Sequence, residues 1–161
     1  MVLILYRRHG AWHVPFVARR ADLPSHPGQV ALPGGGVRPG ETAWAGAARE
    51  AEEEIGVAAR ELVPLGAGPH LYAAVSNYSV APFVAWLPAD EVRFVPQPSE
   101  VDAVLEPPLT LLLDSEAWQK DPDGWPGWRL PLGGATIWGL TARILSDLLP
   151  PIKKALTATT S

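Results

Sequence analysis

The sequence contains no cysteine, which excludes a disulfide framework, a thiolate metal site and a cysteine nucleophile together. It also lacks a Gly-x-Ser-x-Gly motif, so nothing marks a serine nucleophile on a strand-to-helix elbow. Positive charge is in short supply: 13 Lys and Arg stand against 17 Asp and Glu, for a formal charge of −4. A surface of that balance repels polyanions, so neither nucleic acid nor an anionic membrane is an expected partner. A clean apolar span is missing as well. Residues 62–89 hold no Asp, Glu, Lys or Arg and are long enough to cross a bilayer. Pro64, Pro69, Pro82 and Pro88 interrupt them, however, and His70 and Asn77 would find no partner in hydrocarbon. The opening run VLILY is shorter than a signal-peptide core and leads straight into Arg7, Arg8 and Gly10. The expectation is a soluble, untargeted, cytoplasmic protein.

What remains is a chain of 161 residues, 47% hydrophobic and 19% charged, the proportions of one globular domain. Proline (18) and glycine (15) mark many turns. Residues 2–8 and 12–20 are β-rich and flank His9-Gly10, a hairpin signal. A short apolar strand at 30–32 leads into glycines 34–36. Residues 42–55 form the clearest helix, with Thr42 as N-cap and Gly56 at the stop position. Strands are expected at 71–75, 79–86 and 91–95, then a mixed segment at 101–114 and a second helix at about 140–149. The order predicts an α+β protein, an α/β/α sandwich with a mixed β-sheet between helices. One domain spans residues 1–150, and residues 151–161, beyond Pro150-Pro151, read as a flexible tail.

On a helical wheel Trp44, Ala48, Ala51 and Ile55 share an apolar side, while Glu50, Glu53 and Glu54 fall on another. Glutamates on a helix are ordinarily its solvated face. Here they crowd the C-terminal turns, where the helix dipole opposes them and Glu50 repels Glu54 at i, i+4. A bound counter-ion explains that placement better. Carboxylates at i, i+3 and i+4 suit a hard dication, Mg²⁺ or Mn²⁺. Without metal, at least one of them is expected to have a raised pKa from its like-charged neighbours.

Gly35, then Glu41, then the run Arg49-Glu50-Ala51-Glu52-Glu53-Glu54-Ile55-Gly56-Val57 at fixed spacing resembles the signature box of the Nudix hydrolases. The resemblance implies attack of water on a phosphorus of a diphosphate. By position in the motif, Glu50, Glu53 and Glu54 would hold the metal with help from the Gly35 carbonyl, and Arg49 and Glu41 would orient the cluster. Glu50 is the first choice for general base, with Glu100 and Glu106 as alternatives. Gly34, Gly35, Gly36 and Gly40 also precede a helix, but no Gly-Lys-Ser/Thr follows them, which argues against a phosphate-cradling P-loop.

Residues 16–35, FVARRADLPSHPGQVALPGG, resemble the extra motif of the coenzyme A pyrophosphatase branch of that family. Pro24, Arg20 and Leu32 depart from its usual wording, while Arg19, His26, Gly28, Gln29 and Gly34 follow it. That resemblance implies coenzyme A or a derivative as substrate, with Arg19, Arg20, His26, Gly28, Gln29 and Gly34 in contact with it. Its 3′-phosphate would need cations, for which Arg7, Arg8, Arg19 and Arg20 are local candidates. The rival substrates are ADP-ribose, NADH or a nucleoside triphosphate, and the rival class is a nucleotide-sensing module without catalysis. All require a small nucleoside diphosphate derivative or its like as partner. Oligomeric state is not readable.

Overall fold

In the computed structural model, residues 1–24, 26–73, 77–121 and 127–158 are described. The centre is a mixed four-stranded sheet in the order β2-β1-β8-β5, formed by β1 (Val2–Arg8), β2 (Ala11–His13), β5 (Val63–Ala67) and β8 (Phe83–Asp90). β1 runs parallel to β8, and the outer pairs are antiparallel. A second, antiparallel sheet in the order β4-β3-β9 joins β3 (Phe16–Arg19) to β4 (Val30–Ala31) and β9 (Val101–Leu105). β6 (Leu71–Ala73) and β7 (Tyr78–Val80) make a hairpin, and β10 (Gln119–Lys120), β11 (Trp128–Leu132) and β12 (Ala135–Ile137) make a third antiparallel sheet.

β1 shows why this is a sandwich. Its first five residues are all buried, and their alternation sends them to two separate cores. Val2, Ile4 and Tyr6 pack with Ala47, Ala48, Ala51 and Ile55 of α1 (Ala43–Ile55). Leu3 and Leu5 pack with Leu109 and Leu112 of α2 (Leu109–Leu113) and with Ile144, Leu145 and Leu148 of α3 (Gly139–Ala158). Helices therefore cover both faces of a mixed sheet, as the order of elements predicts. Among the described residues no helix is long and apolar enough to cross a membrane.

The helix signals around α1 are borne out. Thr42 Oγ1 accepts the Ala45 N–H at 3.1 Å, and Gly56, at φ +74°, donates to the Glu52 carbonyl. His9 and Gly10, at φ +48° and +78°, form the expected turn between β1 and β2.

Several boundaries differ. The strand expected at 12–20 breaks before Phe16, and that at 79–86 breaks before Phe83. The strand expected at 71–75 is seen as β6; residues 74–76 lie outside the described residues, as do 122–126 and 159–161. No strand forms at 91–95: β8 ends at Asp90, and Glu91 takes a left-handed φ of +59°. The largest correction concerns the last helix, which continues through Pro150 and Pro151 to Ala158 instead of ending near 149 as a flexible tail. Ile152 is 8% exposed and Leu156 packs on the same core, so burial beyond the prolines offsets the two lost backbone donors.

Candidate active site

The C-terminal half of α1 meets three segments that tertiary structure brings to it. The first is the glycine loop. The Gly34 N–H donates to Glu54 Oε2 at 2.9 Å, and a Cβ on Gly35 would sit 2.5 Å from Glu50 Oε2, so only glycine lets that carboxylate lie against the loop backbone. The second is the stretch after β8. The N–H groups of Val95 and Gln97 cap the Ile55 and Glu54 carbonyls, both at 2.9 Å, which satisfies orphan acceptors of the helix end. The third is Arg19 at the end of β3, close enough for its charge to act on Glu54.

Arg49 organises the acids. Its Nε and Nη2 bind Glu41 at 2.8 and 3.1 Å, its Nη1 donates to Glu50 Oε1 at 2.7 Å and Glu53 Oε2 at 3.1 Å, and its Nη2 also reaches the Gly36 carbonyl. Glu41 also accepts the Arg38 backbone N–H at 2.9 Å, so one carboxylate ties loop to helix. Gly46 belongs to the same device: a Cβ there would stand 3.0 Å from Glu41 Oε2. Arg49, with help from the Arg38 N–H, holds the Glu41 carboxyl down at about 2. A depressed carboxyl contributes stability that is complete above its ordinary pKa and is lost as pH falls through the folded value. Melting temperatures of the wild-type protein and Glu41→Gln should therefore differ near neutrality, with the variant lower. They should converge as the pH is taken down toward about 2; a gap unchanged at that pH would refute the role.

Glu54 is 4% exposed, and its carboxyl is raised to about 7. Burial is the largest cause, opposed by the Gly34 N–H and then reinforced by the charge of Glu50. A raised acid was expected, but with like-charge repulsion as its main cause; desolvation outweighs it. Glu53 departs further from the sequence picture. It is 46% exposed and turned to Arg38 Nη2, 2.9 Å away, as well as to Arg49. Among the described residues no three acids or histidines are grouped closely enough to hold an ion as they stand. The donor chemistry nonetheless fits a hard dication: the Glu50 carboxylate lies where Gly35 leaves room, the Glu54 carboxylate lies on the neighbouring Gly34 N–H close enough to feel the charge of Glu50, and Glu53 is one helical turn from Glu50.

The other expected residues sort clearly. Arg20 is bidentate to Asp22, at 2.8 and 2.6 Å, and donates to the Pro98 carbonyl, so its charge is already engaged. Arg7 lies over the Trp12 ring, and Arg8 pairs with Glu106. Arg19 differs, because its Nε is buried with no partner. Gly28 and Gln29 act through the backbone: Gly28, at φ +67°, donates to the Arg20 carbonyl, and the Gln29 carbonyl accepts from Arg19. His26 sits in this turn at φ +53°. Glu100 lies at the Glu54 end of β9 and Glu106 at the other, about 16–20 Å along the strand. Glu106 accepts from the buried Tyr6 hydroxyl and from Arg8, which removes it from the acid cluster. Arg38 is the residue the sequence did not mark, since a lone loop arginine carries no pattern.

A profile of the NUDIX domain matches residues 1–124. Curated relatives called "Uncharacterized Nudix hydrolase NudL" include that of Enterobacter sp. (strain 638), 30% identical over 90% of this chain and 83% of the relative. The one from Pectobacterium atrosepticum is 34% identical over 81% of this chain and 70% of the relative. Among solved structures, the Nudix hydrolase RenU of M. smegmatis superposes with a TM-score of 0.62 at 20% identity, over 99% of this chain and 84% of that one. An Ap4A hydrolase of C. elegans gives 0.54 at 22% identity, over 68% and 80%. Both share the fold.

Proposed function

Because the chain belongs to the Nudix hydrolase family, whose members act on diphosphate linkages, we propose that its substrate is coenzyme A or a derivative. The products are then 4′-phosphopantetheine and adenosine 3′,5′-bisphosphate. The observation that carries this reading is the position of residues 16–35. Of these, Arg19 at the end of β3 is close enough for its charge to act on Glu54, and Gly34 after β4 donates to it, so both ends of the segment border the acid cluster. A substrate-selecting segment belongs against the reacting phosphates.

Glu50, Glu53 and Glu54, with the Gly35 carbonyl, would hold Mg²⁺ or Mn²⁺, which supplies charge neutralisation at the diphosphate and a readier water. Arg49, fixed by Glu41 and 18% exposed, orients Glu50 without being free to leave. Glu50 takes the proton of the attacking water, and Glu100 is the alternative at the same end. Arg19 offers its unpartnered Nε–H to a phosphate oxygen. With Arg7, Arg8 and Arg20 each engaged elsewhere, Arg19 serves the diphosphate and not the 3′-phosphate.

Product chromatography with Mg²⁺ over coenzyme A, dephospho-coenzyme A, ADP-ribose, NADH and a nucleoside triphosphate tests the assignment. Coenzyme A should lead ADP-ribose, NADH and the triphosphate by about tenfold or more in kcat/KM; a lead for ADP-ribose would replace it. Arg19→Ala should raise KM for coenzyme A and dephospho-coenzyme A by the same factor, about tenfold. A loss confined to coenzyme A would move Arg19 to the 3′-phosphate.

A further inference from the structure

We propose that Arg38 is a counter-ion switch: it keeps Glu53 from closing with Glu50 and Glu54 around an ion until a dication is bound, then turns to a phosphate oxygen of the substrate. The inference rests on the reading of Glu53 as a metal ligand. It starts from the one glutamate of the three that is out of place. Glu53 Oε1 accepts from Arg38 Nη2 at 2.9 Å, while its Oε2 shares Arg49 Nη1 with Glu50, at 3.1 and 2.7 Å; it stands beside Glu50, yet no three acids are grouped closely enough to hold an ion among the described residues. At i, i+3 from Glu50 it can join them by a change of rotamer alone, with no movement of the helix.

The two arginines that hold Glu53 are not equivalent. Arg49 is 18% exposed and tied to Glu41, Glu50 and the Gly36 carbonyl, so it stays where it is when Glu53 leaves. Arg38 has its backbone pinned by Glu41, but its side chain is 61% exposed, and Glu53 is the one acid within ion-pair distance among the described residues. Departure of Glu53 leaves the Arg38 guanidinium with no ion-pair contact among the described residues, its charge then acting only at longer range on Glu41. Such a guanidinium matches a phosphate in shape and charge. Because both partners of the pair are exposed, breaking it costs little, which makes it a switch and not a lock.

The test follows free Mn²⁺ by electron paramagnetic resonance in the wild-type protein, Arg38→Gln, Glu53→Gln and the double variant. Arg38→Gln should bind Mn²⁺ about two- to fivefold more tightly than wild type. In the Glu53→Gln background the same change should have an effect of under about 1.5-fold, because nothing is left to release. With Mn²⁺ saturating, Arg38→Gln should bind the non-cleavable diphosphate α,β-methylene-ADP about five- to tenfold more weakly than wild type. Without Mn²⁺ the two should be alike. An equal gain in Mn²⁺ affinity in both backgrounds would reduce Arg38 to a general field effect, and nucleotide binding weakened equally with and without Mn²⁺ would make it a permanent contact; either overturns the switch. Unchanged Mn²⁺ affinity in Glu53→Gln would instead overturn the ligand set beneath it.

Discussion

Replacing Glu54 by Gln is expected to remove diphosphate hydrolysis, by about 10³-fold in kcat/KM, while raising the melting temperature of the metal-free protein. Both effects come from one placement. The carboxyl is 4% exposed and raised to about 7, by burial first, against the Gly34 N–H, and then by the charge of Glu50. An acid with a raised folded pKa holds more protons folded than unfolded between its two values, so it lowers stability as pH climbs. For Glu54 in EDTA the loss begins near 4.5 and is complete above about 7. At most it amounts to about 3 kcal/mol at neutral pH. Gln still offers an oxygen to the Gly34 N–H and carries no charge. Calorimetry from pH 4 to 8 in EDTA should therefore find the variant's advantage growing with pH to several degrees and then levelling. A variant less stable than wild type at pH 8, or one that still turns over substrate at the full rate, would reject Glu54 as a strained ligand.

How much of this could be read in advance depends on how local each determinant is. Thr42 and Gly56 act within one turn of α1, and both ends of that helix were visible in the sequence. The acids were found for the same reason, because a 3.6-residue period places Glu50, Glu53 and Glu54 on known azimuths. The direction of the Glu53 side chain was not, since Arg38, 15 residues earlier, decides it. β5 was invisible because Pro64 and Gly66 contradict strand propensity. An edge strand tolerates both, and among the described residues β5 pairs with β8 alone. The tandem prolines of α3 misled in the opposite direction: a local penalty was outweighed by the burial of Ile152, which only the folded core reveals.

Gly35→Ala should cost about 10²-fold in kcat and weaken Mn²⁺ binding about tenfold, yet move the melting temperature by less than about 2 °C. The reason lies in what the new methyl group would meet. At Gly35 it lands 2.5 Å from both Cδ and Oε2 of Glu50, the far end of a flexible side chain that can rotate away at little cost to the fold. Rotation carries the carboxylate off its 2.7 Å contact with Arg49 and away from Glu54, so the expense falls on the chemistry. Gly34→Ala is the control. Its methyl would lie 2.5 Å from the Met1 Cα, in backbone held on both sides by Val2 N–H to Pro33 O at 2.8 Å and Phe83 N–H to Met1 O at 3.0 Å. Backbone there has no room to yield, so Gly34→Ala should unfold several degrees earlier as well as lose activity. Neighbouring glycines would then be kept for different reasons, one for the fold and one for the placement of Glu50. Equal destabilisation by the two substitutions would mean that Gly35 only shapes the loop.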